Sequence, residues 1–277
     1  MVSNEELVPN VHRMVVKAPH VAAKARAGQF ALLMSHERGE KVPLTLADWD
    51  AKGGTVTFNY LEVGLSTRKL ARMRTGQALF SLVGPLGHPT DPGPFGRVLV
   101  GGGCYGVGAA FPLARVFKEA GNEVVAVVEA RSQFLLYGLE ELRSQADCLE
   151  LATCDGSVGH RGRVHDVVAS LLASGECFDR ACFVGCTSMM ANCSRVTFGR
   201  VPTRVWLNSI MLDGTGMCGC CRVRVGGETK FACVDGPEFD GHLVDWDELR
   251  TRTSSYAQAE NLAYQFHSFH SWAEGDT

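Results

Sequence analysis

The residues best suited to chemistry lie near the C-terminus, in the stretch DGTGMCGCCRV that begins at Asp213. Cys218 and Cys221 form a C-x2-C pair in this stretch, and Cys233 follows in KFACVDG. Plant-type [2Fe–2S] proteins hold their cluster with C-x4-C-x2-C and a distant fourth cysteine. If an aspartate fills the first position, Asp213 falls into that register. The spacing therefore predicts a metal site with one carboxylate and three thiolates.

Two other interpretations of this stretch remain open. A structural zinc site would need four Cys or His ligands, and no second pair is nearby, but zinc and unligated thiols are both alternatives. Asp213 is alternatively the first residue of an Asx turn in DGTG. Gly214, Gly216 and Gly219 suit a loop whose backbone N–H groups point at a cluster. Cys220 lies between two predicted ligands and is left out of the set.

A second chemical stretch is GGGCYG, in which Gly101, Gly103 and Gly106 fit G-x-G-x-x-G, with Gly102 between the first two. It follows an apolar strand and precedes a helical run, the setting in which this motif brings the backbone close to a pyrophosphate. The alternative is a strand–helix turn whose glycines are needed only for packing.

Polar residues follow the next two predicted strands. Glu129 would accept ribose hydroxyls and repel a 2′-phosphate, which favours NAD(H), whereas Arg131 favours NADP(H). Asp155 and Gly156 follow a third strand, at the edge where open α/β sheets bind ligands. Asp155 is alternatively a turn residue. These positions complete the predicted nucleotide contacts.

Three segments must position these residues. Up to about Pro94, strand-like runs separated by turns indicate a small barrel or sandwich, with one short helix capped by Ser66. Over residues 95–205, strands alternate with helices in the manner of a parallel α/β sheet. The cysteine loop lies in the irregular segment 206–250. Residues 251–277 are interpreted as a helix followed by a frayed end.

Composition limits the classes of function. The chain has 277 residues, 45% hydrophobic and 21% charged, as in soluble globular proteins. A net charge of −3 gives no reason to expect nucleic acid or an anionic membrane as partner. No secretory signal and no membrane span is predicted, so the 11 cysteines are expected to be thiols or ligands in a cytoplasmic protein.

The whole pattern resembles a known family. A β-domain, an α/β domain and a [2Fe–2S] loop follow each other as in the small subunit of NADH-dependent ferredoxin–NADP+ oxidoreductase. The chain is also similar to the electron-transfer subunit of dihydroorotate dehydrogenase. The most specific stretch is DGTGMCGCCRVRVGGETKFACVDGPEFDGHLVDWDEL, supported by VPLTLADWD, VGPLGHPT and LVGGGCYGVGAAFPLA. The resemblance implies a ferredoxin–NADP reductase-like FAD-binding antiparallel barrel (1–94), a Rossmann-like NAD(P)-binding domain (95–205), a cluster-binding segment (206–250) and a C-terminal helix (251–277).

The resemblance also implies site residues. Asp213, Cys218, Cys221 and Cys233 correspond to the family's cluster ligands. The implied flavin contacts are Pro43, Leu44 and Thr45 along the ring and Gly64, Ser66 and Thr67 around the FAD pyrophosphate. The glycines after Val100 and the stretch GCTSMM correspond to the nicotinamide side. Lys41 stands where relatives carry an arginine, which keeps the charge but loses the bidentate fork.

By this resemblance the chain is an electron-transfer subunit of a heterodimer, with FAD, NAD(H) and a [2Fe–2S] cluster. It would pass electrons to a larger flavoprotein subunit with FAD and [4Fe–4S] clusters, which links them to ferredoxin by electron bifurcation. Hydride transfer to flavin depends on proximity, so no catalytic side chain is nominated. The alternatives are a module serving a hydrogenase, a sulfur or sulfide enzyme or dihydroorotate dehydrogenase, or a non-catalytic redox-sensing or scaffolding subunit. The aromatic run YQFHSFHSW is either a partner contact or packs on its own domain.

Overall fold

The computed structural model describes residues 1–270, with the backbone alone for 267–270. The predicted frayed end and Trp272 of the aromatic run lie outside the described residues. The described strands form one six-stranded sheet, one seven-stranded sheet and one two-stranded sheet. The two large sheets follow each other along the chain.

The first sheet is antiparallel, with the strand order β1-β2-β5-β4-β3-β6. Its elements are β1 (Ser3–Val8), β2 (Val11–Lys17), α1 (Pro19–Ala22), β3 (Phe30–Met34), β4 (Val42–Asp50), β5 (Thr55–Leu61), α2 (Leu65–Ala71) and β6 (Ser81–Leu86). Large apolar side chains such as Met14, Leu46 and Phe58 fill its core and are fully buried. The four predicted strands correspond to β2, β3, β4 and β5.

Strands β1 and β6 were not predicted. The sequence SNEELV of β1 lacks a clear alternation of apolar and polar residues. The sequence SLVGPL of β6 contains Pro85, which a strand tolerates at the edge of a sheet. The side chain of Asn4 in β1 holds this end of the sheet together. Its Nδ2 atom donates to the backbone oxygens of Leu70 and Met73 at 2.9 and 3.0 Å, and its Oδ1 atom accepts from Tyr60 at 3.2 Å.

The second sheet has the order β10-β9-β8-β7-β11-β12-β15, parallel except for β15 (Glu238–Asp240). Its elements before β15 are β7 (Arg97–Gly103), α3 (Val107–Glu119), β8 (Glu123–Ala130), α4 (Leu139–Gln145), β9 (Cys148–Thr153), β10 (His160–Arg161), α5 (Val164–Ala173), β11 (Arg180–Val184), α6 (Thr187–Thr197) and β12 (Thr203–Trp206). The chain first steps from β7 towards β9 and then returns to β11 on the other side of β7. The order reverses between β7 and β11, where doubly wound sheets bind their ligands.

Several helix boundaries differ from the prediction. The run LLYGLEELRSQA was predicted as one helix, but α4 begins only after Gly138, whose φ of +65° ends the preceding turn. Helix α6 and strand β12 were not predicted. The tail after residue 250 was predicted as one helix, but α7 (Trp246–Thr253) starts earlier, capped by Asp245, and α8 (Ala257–His270) follows it.

The cysteine-rich segment adds strands β13 (Arg222–Val225), β14 (Glu228–Phe231) and β15 (Glu238–Asp240). Strand β15 extends the parallel sheet by pairing antiparallel with β12. Its Glu238 carboxylate accepts hydrogen bonds from Arg204 at 2.9 Å and from Arg180 at 3.1 Å. This segment is therefore joined to the parallel sheet by both backbone and side-chain bonds.

The described helices give no sign of a membrane span. Within residues 1–270, none of them combines the length and the apolar character that crossing a bilayer requires.

Candidate functional site

The carboxyl ends of β7 and β11 form the crevice at which a nucleotide is expected. Strand β7 ends at Gly103, and the turn Cys104–Gly106, which we call the nicotinamide turn, leads into α3. Strand β11 is followed by Gly185 and by Cys186, which precedes α6. The Tyr105 hydroxyl crosses the crevice and donates to the Gly185 carbonyl oxygen at 2.9 Å. The structure thus brings the GGGCYG and GCTSMM stretches together.

The glycines of GGGCYG are needed for packing. A Cβ atom on Gly106 would lie 2.1 Å from the carbonyl oxygen of Val184, and one on Gly101 would lie 2.5 Å from the Phe183 ring. Gly102 would meet Val107 and Ala110 of α3 at 3.1 and 3.2 Å. Gly101, Gly102 and Gly103 belong to strand β7 itself. The packing alternative therefore describes Gly101, Gly102 and Gly106, and the tight turn falls on Cys104, at a φ of +56°.

The start of α3 offers fewer donors to a pyrophosphate than the motif predicts. The backbone N–H of Gly108 donates to the Tyr137 hydroxyl at 3.1 Å, so one of the free N–H groups of this helix end is already used. The Tyr137 hydroxyl in turn donates to the Cys104 carbonyl oxygen at 3.0 Å. A bound pyrophosphate would have to rely on the remaining N–H groups.

Glu129 makes a structural contact at the start of α5. It is only 7% exposed, and its Oε2 atom accepts from the backbone N–H of Val164 at 2.7 Å, the first residue of α5. Its Oε1 atom lies 3.6 Å from Arg163. The carboxylate caps the positive end of α5, which stabilises both groups. The contact of Glu129 with ribose hydroxyls stays a prediction, and it would have to use the oxygen that α5 leaves free.

Arg131, Asp155 and Gly156 lie together beyond the ends of β8 and β9. The backbone N–H of Asp155 donates to the Arg131 carbonyl oxygen at 3.2 Å. Hydrogen bonds from Ser157, at 2.7 Å from its hydroxyl and 3.0 Å from its N–H, lower the pKa of Asp155 to about 2. Gly156 has a φ of +75°, which suits glycine. The turn alternative for Asp155 is thus present in the structure, and its ligand contact stays a prediction.

The predicted flavin strand lies in the middle of β4. Pro43, Leu44 and Thr45 pair with Leu32, Ala31 and Phe30 of β3. Leu44 faces the core, whereas Pro43 and Thr45 are half-buried on the other side. This strand therefore presents a partly open surface on which a flat ring could lie.

The second flavin element is the start of α2, where one prediction was wrong. Gly64, not Ser66, is the N-cap, and the Thr67 hydroxyl accepts from the N–H groups of Gly64 and Val63 at 3.1 and 3.0 Å. The Ser66 hydroxyl donates to Glu40 at 2.8 Å instead. Apart from its chain neighbours, no atom of the described residues lies within 4 Å of a Cβ placed on Gly64, so the space beside this residue is open in the described part of the chain. The open space fits a phosphate, while Glu40 would have to release Ser66.

The cysteine loop is built from left-handed glycines. Gly214, Gly216 and Gly219 have φ values of +74°, +86° and +65°. Cys221 and Cys233 are buried, with their sulfur atoms 3.1 Å apart. Burial and the neighbouring Cys221 thiol raise the pKa of Cys233 to about 12. The Cys233 thiol is therefore protonated at neutral pH until a metal displaces the proton.

The other two predicted ligands lie on the exposed side of the loop. The Asp213 carboxylate accepts from the N–H groups of Thr215 and Cys218 at 2.7 and 2.6 Å, and these bonds, Thr215 first, lower the pKa of Asp213. This is the Asx turn of the alternative interpretation. Within residues 1–270, no three His, Cys, Asp or Glu side chains converge into a preformed metal site. The donor set still suits an iron–sulfur cluster. Asp213, Cys218 and Cys221 lie in one loop, and the β13–β14 hairpin brings the Cys233 sulfur within 3.1 Å of the Cys221 sulfur.

Comparison with known proteins identifies the family. Residues 208–245 match the model of the iron–sulfur cluster binding domain of dihydroorotate dehydrogenase B. The electron transfer subunit homolog of that enzyme from Thermotoga maritima is 41% identical over 96% of this chain and 94% of its own length. The Geobacillus thermodenitrificans electron transfer subunit is 30% identical over 86% of this chain and 94% of its own. The chain belongs to the dihydroorotate dehydrogenase B electron transfer subunit family.

Solved structures agree with the family. A chain of an NADH-dependent reduced ferredoxin–NADP oxidoreductase, described for flavin-based electron bifurcation, has a TM-score of 0.91 and 40% identity, covering 96% of both chains. The cytochrome P450 reductase GcoB of Amycolatopsis has a TM-score of 0.61 at 18% identity, over 73% of this chain and 67% of its own, which is a likeness of fold alone. The predicted ferredoxin reductase-like fold is confirmed, as are the family and its cofactor classes of flavin, pyridine nucleotide and iron–sulfur cluster.

Sequence reasoning missed the polar residues that shape the nicotinamide turn. Tyr137 lies in the irregular segment before α4, and its hydroxyl donates to the Cys104 carbonyl oxygen. Asn208 is the first residue of the stretch that matches the cluster-binding domain, and its side chain donates to the Tyr105 hydroxyl. Tyr105 itself was noticed in GGGCYG but was given no role. No motif contains Tyr137 or Asn208, so only their contacts in the fold could reveal these two residues.

Proposed function

We propose that this subunit passes hydride between NAD(H) and FAD, and single electrons through a [2Fe–2S] cluster to a larger flavoprotein subunit. FAD supplies hydride acceptance and one-electron release when bound, and the cluster supplies one-electron relay. The side chains of this chain bind and orient these groups. No acid or base is required of the protein, because hydride transfer depends on placement.

The observation that carries the proposal is the position of the cysteine loop. A Cβ atom on Gly214, next to Asp213, would lie 2.8 Å from Leu32 and 2.7 Å from Leu86 of the first sheet. Leu32 is paired directly with Pro43 on the predicted flavin strand. Cys221 and Cys233 also share a core with Leu99 and Phe183 of the parallel sheet. The loop is therefore packed against both of the sheets whose edges would hold the flavin and the nucleotide.

Each cofactor has proposed binding residues. Pro43, Leu44 and Thr45 would line the flavin ring, and the open side of Gly64 would admit the FAD pyrophosphate beside Ser66 and Thr67. The nicotinamide turn and GCTSMM would enclose the nicotinamide, with Arg131 nearer the ribose end. The proposed cluster ligands are Asp213, Cys218, Cys221 and Cys233.

The partner follows from the family, whose members are electron transfer subunits that work with a larger flavoprotein subunit. We propose that this partner carries its own FAD and [4Fe–4S] clusters and connects the chain to ferredoxin in an electron-bifurcating complex. The related NADH-dependent reduced ferredoxin–NADP oxidoreductase supports this choice over a hydrogenase, sulfur or dihydroorotate partner.

Purification under anaerobic conditions tests the proposal. We expect a protein with flavin absorption and a [2Fe–2S] paramagnetic signal, in which NADH reduces both. Co-purification should identify the larger subunit by mass spectrometry. A protein that holds a cluster but no flavin, as the Glu40 contact to Ser66 and the Lys41 departure would favour, would instead indicate the non-catalytic sensing role. A colourless protein would contradict both.

A further inference from the structure

The nicotinamide turn contains a backbone conformation that its sequence does not favour. Cys104 has a φ of +56°, in the left-handed region, which residues with a Cβ atom rarely adopt. Cys104 is exposed, so packing of its own side chain does not hold it there. Some other contact must stabilise this conformation.

The Tyr137 hydroxyl supplies that contact. It donates to the Cys104 carbonyl oxygen at 3.0 Å and accepts from the N–H of Gly108 at 3.1 Å. One phenol oxygen thus joins the turn to the first residues of α3. Burial raises the pKa of Tyr137 above its usual value, so the hydroxyl remains a donor throughout the physiological pH range.

Tyr137 is itself held in one position. Its ring packs edge-on against Phe111 of α3, with ring centroids 6.4 Å apart and an interplanar angle of 86°. The next residue must be Gly138, because a Cβ atom there would lie 2.1 Å from the Phe111 ring. Tyr137 is 7% exposed, so burial as well as this ring contact holds its side chain.

A second phenol holds the opposite side of the turn. The Tyr105 hydroxyl donates to the Gly185 carbonyl oxygen at 2.9 Å and accepts from the Asn208 side chain. The turn is therefore fixed between α3 on one side and the end of β11 on the other. The Tyr137 hydroxyl bonds to the backbone of the strained residue, Cys104, itself. The Tyr105 hydroxyl instead fixes the residue that follows Cys104.

We propose that Tyr137 is a positioning residue for the pyridine nucleotide, which holds Cys104 in its left-handed conformation and so shapes the surface that receives the nicotinamide. The identity of the nucleotide rests on the proposed function. The role of Tyr137 in holding Cys104 does not depend on that function. It assigns a role in nucleotide binding to a buried residue that would not touch the nucleotide.

The first test is Tyr137→Phe in the purified holoprotein, with Tyr60→Phe as the matched control. Tyr60 is also a buried tyrosine, and its hydroxyl donates a hydrogen bond to the Asn4 side chain at 3.2 Å. It lies in the core of the first sheet. We expect Tyr137→Phe to raise the apparent Kd for NADH in stopped-flow flavin reduction about tenfold, with a change of less than about twofold in the limiting rate. Tyr60→Phe should leave both unchanged.

The second test asks whether the effect acts through Cys104. Glycine adopts a positive φ without strain, so Cys104→Gly combined with Tyr137→Phe should recover most of the lost affinity. Cys104→Ala in the same background keeps the strain and should recover none. Unaltered NADH affinity in folded Tyr137→Phe, or equal recovery by alanine and glycine, would overturn the inference.

A third measurement does not depend on the nucleotide. Amide hydrogen exchange over residues 104–108 should be about tenfold faster in Tyr137→Phe than in the parent and in Tyr60→Phe. If NADH fails to reduce the parent protein, the proposed function fails, and the exchange rates still decide whether Tyr137 holds the turn. Unchanged exchange would refute the inference even where NADH reduction proceeds.

Discussion

GGGCYG and the cysteine loop both combine glycines with cysteines, but their glycines differ in backbone conformation. In the cysteine loop, Gly214, Gly216 and Gly219 all have positive φ values. A Cβ on Gly214 would also meet Leu86 at 2.7 Å, whereas one on Gly219 would lie no closer than 3.7 Å to any described atom beyond its chain neighbours. In GGGCYG the glycines have ordinary φ values, but neighbouring atoms leave no room for a Cβ. The left-handed residue there is Cys104.

The comparison shows that a glycine motif has at least two physical causes. A glycine can be required by its backbone angle or by a close neighbouring atom, and the sequence alone does not distinguish the two requirements. In the cysteine loop all three glycines have the left-handed backbone angles that glycine adopts without strain. In GGGCYG the missing side chains let α3 and β11 approach β7, and the polar contacts that shape the turn come from Tyr105 within it and from Tyr137 elsewhere.

The largest expected effect separates these two causes. Gly106→Ala would place a Cβ 2.1 Å from a carbonyl oxygen that belongs to strand β11. We expect a loss of about 3 kcal/mol or more in the free energy of unfolding, measured by urea titration, or no folded protein. Gly219→Ala has room for the methyl group and should lose only about 1 kcal/mol, from its φ of +65°. Similar losses in the two variants would contradict the distinction.

The second prediction sharpens the role of Asp213. An Asx turn tolerates asparagine, because its one side-chain oxygen can still accept from the N–H of Thr215. The bond from the N–H of Cys218 uses the second carboxylate oxygen and is lost, and iron ligation also favours the carboxylate. We expect Asp213→Asn to keep the fold of the loop but to lose most of the iron by colorimetric assay after desalting. Flavin content should not change. Full, stable iron loading in both Asp213→Asn and Asp213→Ala would leave Asp213 as a turn residue only.

The third prediction concerns Glu129 on the nucleotide side. Glu129→Ala removes the acceptor for the N–H of Val164 and should lower the free energy of unfolding by about 1–3 kcal/mol. Glu129→Gln retains an acceptor and should lose less. Because the carboxylate is engaged with α5, we expect Glu129→Gln to leave the ratio of NADH to NADPH reduction rates unchanged. A shift of that ratio towards NADPH would restore the ribose role.

The smallest expected effect is a pH dependence at the end of β9. The folded-state pKa of Asp155, about 2, lies below its usual value, so its stabilisation is present above about pH 4 and is lost as the pH falls towards 2. Ser157→Ala removes the bond from the hydroxyl and should raise the pKa of Asp155 towards its usual value. The difference in melting temperature between parent and variant should therefore be largest above pH 4 and vanish near pH 2.

Much of the fold could be predicted from the sequence. Strands with strong apolar runs, such as β7 and β8, were found because burial on both faces leaves a continuous hydrophobic signal. Edge strands β1 and β6 were not, because their residues are chosen for an exposed or proline-bearing edge. Helix α6 was also missed, since TSMMANCSRVT has weak helical propensity and is held by its packing.

By itself, the sequence determined the order of the segments and the donor set of the cysteine loop, because spacing along the chain and residue chemistry are local properties. Only the tertiary structure decided what Glu129, Ser66 and Tyr137 do. Each of these side chains forms a hydrogen bond with a residue that is distant in the sequence. A hydrogen bond is formed by whichever donor and acceptor the packing brings within about 3 Å. The assembled sheets and helices determine which donor and which acceptor come within that distance.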